Sequence, residues 1–328
     1  MNKPIRRLLI ALAAISTASL IPLQAQAAEA WPSKPVKMVV PAPPGGPTDT
    51  MARWLADKLS QILPHQVYTF NQPGANGMIA ASAVATAPPD GYTVFFGFQG
   101  PLAANYALYD NVPYSIEKDF VAVSRWAEIP NVLLVNKNVP ADNLKDLIAL
   151  AKKDGKGWFF GSGGNGSSTH IAGELLNKRA GMNMTHIPYK GAQPSLVDLI
   201  GGEIPIAMTG TVDALRHVQS GTLKPLAVTS NERIPAMPDI PTISEAALPG
   251  FYVSPWFGVV APAGTPKEAI DGLNAAIAKA GEDPELKKRI EDLGGRITTG
   301  PAEEFSAFLK QDVSHWAELI RESGARVD

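Results

Sequence analysis

Three glycine-rich loops are the parts of this sequence best suited to bind a small anion. Each lies between a short apolar run and a helix-like pattern, and the loops are Pro44-Gly45-Gly46-Pro47-Thr48-Asp49, Pro73-Gly74-Ala75-Asn76-Gly77 and the segment 162–169. Glycine lets backbone N–H groups approach a ligand closely, and a helix N-terminus carries about half a positive charge. None of the loops contains Arg or Lys. We therefore expect recognition by amides, hydroxyls and water; the alternative for any single loop is a tight turn without a ligand.

Motifs for catalysis are weak or missing. The pattern Gly161-x-Gly163-x-x-Gly166 formally matches the dinucleotide fingerprint. However, the next predicted strand ends in residues 187–190, Ile-Pro-Tyr-Lys, without the acidic residue that would bind the ribose. An NAD-dependent oxidoreductase therefore remains a remote alternative. The sequence also contains no Gly-x-Ser-x-Gly elbow, no His-Glu-x-x-His and no P-loop.

The histidine and cysteine content also gives no support for a catalytic site. His170 is the one histidine beside a candidate loop, and we interpret it as a structural hydrogen-bonding residue because no partner carboxylate follows at a fixed spacing. The 328 residues include no cysteine, which excludes disulfides, thiolate nucleophiles, Cys-based metal sites and lipid attachment. We expect no catalytic residue, no cofactor and no metal site, and so a protein that is not an enzyme.

The first 28 residues have the pattern of a secretory signal peptide. Lys3, Arg6 and Arg7 precede an uncharged stretch that extends to Leu23, and a run of small residues follows at 25–28. Subtracting these three from 29 basic residues leaves 26 basic against 31 acidic ones. The mature chain is thus acidic, and nothing in its charge favours nucleic acid or anionic lipid as a partner. The sequence predicts export to the periplasm.

From Val36 onward, β-rich runs alternate with helical periodicity, which is typical of an α/β protein with mostly parallel strands. One set of such units begins at Val36, and a second extends from Leu144 to Thr229. Two extended segments flanked by prolines, Asn131–Val135 and Trp256–Val260, bracket the second set, and we interpret them as crossings between domains. The predicted division is a signal peptide at 1–28, a discontinuous domain I at 29–139 plus 251–328, and domain II at 140–250.

Ordered motifs along the mature chain resemble those of a known family. They are Pro41-x-x-Pro44-Gly45-Gly46-x-x-Asp49, Asn71-x-Pro73-Gly74-Ala75-x-Gly77, Pro89-Asp90-Gly91-Tyr92-Thr93, Gly164-Asn165-Gly166-Ser167-x-x-His170, Pro188-Tyr189-Lys190-Gly191, Pro238-Asp239-Ile240-Pro241-Thr242 and Trp256-Phe257-Gly258. In type and order these resemble the solute-binding receptors of tripartite tricarboxylate transporters, also called Bug receptors. Jointly they cover nearly all of the mature chain.

This resemblance implies a two-lobed periplasmic-binding-protein fold of the Venus flytrap type II, with two parallel-rich sheets joined by two hinge strands. It implies a monomer that closes over a small carboxylate, either a di- or tricarboxylate or an aromatic carboxylate. It also implies delivery of that ligand to the membrane permease subunits of a tripartite transporter. A periplasmic sensor subunit with the same ligand is the alternative, because the same fold and cleft would serve it.

The resemblance also assigns ligand-binding residues. The first two loops would act as a pincer on one carboxylate, and the serine-rich third loop would hold the far end of the ligand from the second lobe. The residues of the two jaws and of the third loop are Gly45, Gly46, Thr48 and Asp49, then Gly74, Ala75, Asn76 and Gly77, then Ser167, Ser168 and Thr169.

Two positions depart from the family pattern. Thr209 stands where relatives commonly have an acidic residue, so we predict a ligand without an ammonium group. Phe98 and Gln99 replace smaller hydroxyl residues at a strand end. They would offer an aromatic ligand a flat contact and a hydrogen bond; the alternative for Phe98 is an ordinary place in the core of a central strand.

Overall fold

The computed structural model describes residues 30–154 and 158–325, without the side chain of Asp154. The predicted signal peptide therefore lies outside the described residues. No helix within these two ranges is both long enough and apolar enough to cross a membrane.

The first lobe is built on a six-stranded sheet with the strand order β11-β4-β10-β3-β1-β2. Its strands are β1 Val36–Val40, β2 Val67–Asn71, β3 Thr93–Phe98, β4 Phe120–Glu128, β10 Trp256–Pro262 and β11 Arg296–Ile297. Its helices are α1 Pro47–Ile62, α2 Met78–Ala85, α3 Asn105–Leu108, α4 Ile116–Asp119, α10 Lys267–Gly281, α11 Pro284–Asp292 and α12 Ala302–Ser323. Two apolar clusters cover the two faces of this sheet, because its central strands are buried on both sides.

The second lobe contains a five-stranded sheet with the order β7-β6-β8-β5-β9. Its strands are β5 Asn131–Asn136, β6 Trp158–Ser162, β7 Met184–Pro188, β8 Ile206–Gly210 and β9 Leu223–Val228. Its helices are α5 Leu144–Asp154, α6 Ser168–Ala180, α7 Ala192–Gly201, α8 Thr211–Gln219 and α9 Ile243–Ala246. The helix α6 ends at Gly181, whose φ of 61° provides the left-handed cap that the sequence predicts there.

Both sheets are rich in strands that share one direction, as expected, and each also contains strands that run the opposite way. The strand pairs β1–β2, β1–β3, β6–β7 and β6–β8 are parallel, whereas β10 and β5 run antiparallel to both of their neighbours. The physical reason is that β5 and β10 each follow a crossing between the lobes. Each of them enters its sheet at the edge where the parallel strands end, so it must run in the opposite direction.

The two crossings lie side by side. Between β4 and β5 only Ile129 and Pro130 intervene, and the Ile129 N–H donates to the Pro255 carbonyl at 3.0 Å, just before β10. The structure thus places Asn131–Asn136 within the second sheet, between β8 and β9, and Trp256–Pro262 within the first, so the chain crosses immediately before each of them. The domain boundaries at 139/140 and 250/251 stay a prediction.

The C-terminal helix α12 connects the two cores. Phe305 and Leu309, near its start, pack in a cluster with residues of the first sheet. Trp316 and Leu319, two to three turns later, pack with α6 and the second sheet. Arg179 of α6 also forms an ion pair with Glu322 at 2.8 Å. The helix therefore spans the junction between the lobes and contributes side chains to it.

Candidate functional site

The first glycine loop is held by the side chain of Asp49, which is 2% exposed. Its carboxylate accepts hydrogen bonds from the Gly45 N–H at 2.8 Å, Arg53 Nε at 2.9 Å and Asn71 Nδ2 at 2.7 Å. Burial alone raises the pKa of this carboxyl, but these hydrogen bonds hold the pKa below its usual value. The carboxylate oxygens are thus occupied by the protein itself. Asp49 positions the loop and ties it to the end of β2.

The second loop has an unusual backbone. Gly74, Ala75, Asn76 and Gly77 all have positive φ, at 126°, 47°, 47° and 85°. Left-handed conformations at Ala75 and Asn76 cost about 1 kcal/mol or more each, so the surroundings must enforce them. The Asn76 side chain donates to Asn105 Oδ1 at 2.7 Å, and Asn105 Nδ2 donates back to the Asn76 carbonyl at 3.2 Å.

Gly77 fixes the contact between the two loops. A Cβ atom at this position would lie 2.9 Å from the Pro101 side chain and 3.2 Å from that of Pro41. Because such distances are too short for carbon atoms, only glycine fits between the end of β1 and the segment after β3. The two loops and residue 101 are therefore packed as one unit.

The helices behind the two loops begin without a side-chain cap. The N-cap residues are Gly46 for α1 and Gly77 for α2, and neither helix start receives a hydrogen bond from a capping side chain. The first N–H groups of a helix have no partner within the helix, so they are suited to bind an anion. At Gly46, a Cβ atom would meet nothing nearer than the Pro43 carbonyl oxygen at 3.8 Å, so there is room for a side chain at this position.

The third loop uses most of its hydroxyls internally. Ser167 caps α6, since its Oγ accepts from the His170 N–H at 3.2 Å and donates to the Gly164 carbonyl at 2.7 Å. Thr169 Oγ1 accepts from the Gly163 N–H at 3.0 Å and lies 2.8 Å from Ser167 Oγ. By contrast, the Ser168 hydroxyl makes only a long bond of 3.4 Å, to Asn131 Oδ1. Of the three predicted hydroxyls, Ser168 keeps the most capacity for a ligand.

Two stacked histidines form hydrogen bonds with residues of the third loop. The rings of His170 and His186 have centroids 4.0 Å apart and planes 15° apart. His170 Nδ1 accepts from the Gly166 N–H at 3.1 Å, and His186 Nε2 lies 2.6 Å from Ser162 Oγ. Burial lowers the pKa of both rings, and for His186 burial together with the charge of its neighbour lowers the pKa to about 4. Both imidazoles are therefore neutral at pH 7.

The same two rings and Glu174 present potential metal ligands within 4.8 Å of one another. A metal ion lies in the plane of an imidazole that binds it, roughly 2.1 Å from the nitrogen. Two nearly parallel planes stacked ring over ring do not meet at that distance. The arrangement fits a neutral support for the loop, as predicted for His170, and does not fit a metal centre.

A pocket of about 180 Å³ lies where the two lobes meet, and it brings residues of both lobes together. It is lined by Asn76, Phe98, Gln99, Gly100, Ala104, Gly166, Ser167, Ser168, Ile171 and Trp316. Five of these were expected at the site from the sequence, namely Asn76, Phe98, Gln99, Ser167 and Ser168. A larger cavity of about 430 Å³ lies on the first lobe, beside α4, α10 and α12, and contains none of the predicted residues.

The other predicted residues do not line this pocket. Gly77 packs beside Pro101, the residue that follows Gly100 of the lining. Thr209 is buried near the end of β8, and its Oγ1 has no hydrogen-bond partner among residues 30–154 and 158–325.

Sequence reasoning missed four residues at or beside the pocket. Ala104, Ile171 and Trp316 form its apolar side, and Asn131 lies behind Ser168 with its Nδ2 enclosed and unpaired among the described residues. Asn131 is the first residue of a predicted crossing segment, so its position at the hinge was a usable signal. Trp316 is far along the chain from Asn76, Phe98 and Ser167, which line the same pocket, and no local pattern indicates that they come together.

Comparison with known proteins agrees with this architecture. The model of the tripartite tricarboxylate transporter family receptor, TctC, matches residues 51–325. Protein BugT of Bordetella pertussis is 36% identical over 301 residues, which are 92% of each chain. Rpa4515 of R. palustris, solved with adipate, is 33% identical with a TM-score of 0.79, covering 90% of this chain and 100% of that one.

MatC of Rhodopseudomonas palustris, solved with bound malate, is 32% identical with a TM-score of 0.74 and covers 88% of this chain and 100% of that one. The matched family is one of solute-binding receptors and not of enzymes. From the match over residues 51–325 and the full-length similarity to BugT, this chain belongs to the tripartite tricarboxylate transporter receptor family, the Bug receptors.

Proposed function

We propose that this protein is a monomeric periplasmic receptor that captures a small carboxylate between its lobes and delivers it to the membrane permease subunits of a tripartite transporter. The observation that carries the proposal is the pocket at the junction of the lobes. Side chains from the second and third glycine loops meet there, next to the start of α2, which has no side-chain cap. Malate and adipate, bound by the relatives MatC and Rpa4515, support the ligand class.

In the proposed complex, one carboxylate of the ligand lies between the first two loops. The N–H groups at the starts of α1 and α2 donate to it, and Asn76 contacts it from the side. Ser168 binds the far end of the ligand from the second lobe, while Ser167 and Thr169 keep the loop in shape. This differs from a direct role for all three hydroxyls, because two of them are already occupied by the loop.

In this proposal the two lobes close by rotating about the two crossings, which act as the hinge. The paired crossings at Ile129 and Pro255 let one lobe rotate against the other with few backbone changes. A ligand that touches both lobes stabilises the closed form, because only that form makes both sets of contacts. Closure also removes water, which strengthens the hydrogen bonds to the bound anion. The permease would then recognise the closed form.

The test is calorimetry on the mature protein with a panel of carboxylates, comparing the wild type with Gly46→Val. Gly46 has ordinary φ and open space, so valine is tolerated by the fold but projects in front of α1. We expect affinity to fall by at least tenfold. Gly201→Val is the matched control, since Gly201 is exposed at the end of α7, where a Cβ atom also meets open space.

If Gly46→Val binds as the wild type does, the pincer assignment is wrong. If no carboxylate binds the wild-type protein at millimolar concentration, the proposed function itself fails.

A further inference from the structure

We propose that the ligand of this receptor is a hydroxyl-substituted aromatic monocarboxylate. This inference rests on the proposed function, and it concerns the part of the ligand beyond the captured carboxylate. It is drawn from three properties of the pocket: two fixed aromatic side chains, an enclosed amide, and the absence of charge from the lining.

The first aromatic side chain is Phe98, at the end of β3. Its ring lies against the backbone of Gly100, where a Cβ atom would overlap the ring. On its other side it contacts Phe257, with ring centroids 6.5 Å apart, and Phe257 in turn stacks on Phe96 at 5.8 Å. Phe98 is thus held by neighbours and still partly exposed to the pocket. It is not simply a core residue of the strand.

The second aromatic side chain is Trp316 of α12, which is almost fully buried. Asp312, one turn earlier on the same helix, accepts a hydrogen bond of 2.6 Å from Trp256 Nε1. This buried carboxylate ties α12 to β10 beside Trp316. Together with Ala104 and Ile171, Phe98 and Trp316 give the pocket an apolar lining, and aromatic side chains favour ring-to-ring contact with a ligand.

The enclosed amide belongs to Gln99, which is 9% exposed and lines the same pocket. Its Oε1 is buried and has no hydrogen-bond partner among the described residues. A buried polar atom normally finds a partner, because leaving it unpaired is unfavourable. A hydroxyl on the ligand both donates and accepts, so it pairs with either end of this amide.

The pocket does not suit a second carboxylate. None of the ten residues that line it is charged, so no cationic side chain in the lining pairs with a further negative group. The unpaired atom of Gln99 is the acceptor Oε1, which repels a carboxylate, whereas a hydroxyl on the ligand donates to it. Burying an unpaired charge is costly. A neutral aromatic ring packs against the apolar lining, and one hydroxyl on the ring bonds to the Gln99 amide, so no unpaired charge is buried.

The experiment is calorimetry of the wild type and of Gln99→Leu with benzoate, 3-hydroxybenzoate, 4-hydroxybenzoate, cyclohexanecarboxylate, adipate and malate. We expect the wild type to bind one of the two hydroxybenzoates about tenfold more tightly than benzoate, which corresponds to one hydrogen bond. Benzoate should bind more tightly than cyclohexanecarboxylate and both dicarboxylates. In Gln99→Leu the ratio between the hydroxybenzoate and benzoate should fall to about one.

The matched control is Gln61→Leu, an exposed glutamine on α1, which should keep the wild-type ratio. If adipate or malate binds the wild type more tightly than every aromatic acid, the inference is overturned while the carboxylate-receptor function stands. The inference is also overturned if Gln99→Leu retains the tenfold ratio. If none of the six acids binds, the proposed function fails as well. The ranking in the wild type tests the ring preference without any variant.

Discussion

Replacing Asp49 with asparagine tests whether its carboxylate holds the first loop in place. The carboxylate accepts from Gly45, Arg53 and Asn71, two of which bond to one oxygen. The amide of asparagine has one acceptor and presents N–H groups to the remaining donors. It therefore loses at least one, and as many as two, hydrogen bonds to a charged acceptor, each about 1.5–3 kcal/mol.

Because Arg53 is half exposed, its share is discounted. We expect Asp49→Asn to lower the free energy of unfolding by about 2 kcal/mol and to weaken carboxylate binding at least tenfold. Urea unfolding by linear extrapolation measures the first effect, and calorimetry measures the second. The control is Asp57→Asn, an exposed residue on the same helix, which should change stability by less than about 0.5 kcal/mol.

The pH dependence of the Asp49 effect has a definite sign. The folded-state pKa of this carboxyl lies below its ordinary value, so its stabilising contribution is complete above the unfolded-state pKa of 3.8. The contribution is lost as the pH falls through the folded-state pKa. The difference between wild type and Asp49→Asn should thus be full at pH 7 and shrink below pH 4. Equal destabilisation by Asp49→Asn and Asp57→Asn at pH 7 would refute this reasoning.

Four further predictions concern the other parts of the site. Gly77→Ala should cost about 1–3 kcal/mol in urea unfolding, since its φ is +85° and its Cβ would crowd Pro101, whereas Gly201→Ala should not. Ser167→Ala should cost about 1 kcal/mol through loss of the α6 cap, with weaker binding as a consequence of the altered loop. Lowering the pH from 6.5 towards 4 should reduce the free energy of unfolding, because the pKa of His186, stacked on His170, is about 4 in the folded state and the unfolded chain binds the proton first. In thermal unfolding, a His186→Phe variant should lose much of this pH dependence. Succinate should bind at least as well as aspartate, because Thr209 offers no charge to an ammonium group, and tighter calorimetric binding of aspartate would contradict this.

The elements around the glycine loops could be predicted from local pattern. The apolar runs Val36–Val40 and Met184–Pro188 predict strands, and both are strands with those bounds; Gly181 predicts a helix end and does end α6. The strand β4 was missed because Ser124, Arg125 and Glu128 interrupt its apolar run. Glu128 is nevertheless fully buried, since Arg296 from a distant part of the chain pairs with it at 2.9 Å. A local sequence pattern cannot show that a buried acidic residue is paired with an arginine from a distant part of the chain.

The assignment of ligand-binding residues stays a prediction. Among the residues chosen from the glycine loops, Asn76, Ser167 and Ser168 line the pocket, as do Phe98 and Gln99, where the sequence departs from the family pattern. A sequence pattern does not show which residues of a loop contact a ligand and which hold the loop in shape. Asp49 and Ser167 have the residue types of ligand contacts, yet their oxygens are occupied by neighbouring backbone and side-chain donors. Trp316 reaches the pocket only through the packing of α12 across the lobes.

The most direct test of the account is a crystal structure of the mature protein with whichever acid of the calorimetric panel binds most tightly. We predict closed lobes, a ligand carboxylate within hydrogen-bond distance of the N–H groups at the starts of α1 and α2, and the body of the ligand beside Phe98. A carboxylate bound elsewhere, with these N–H groups facing solvent, would contradict the account.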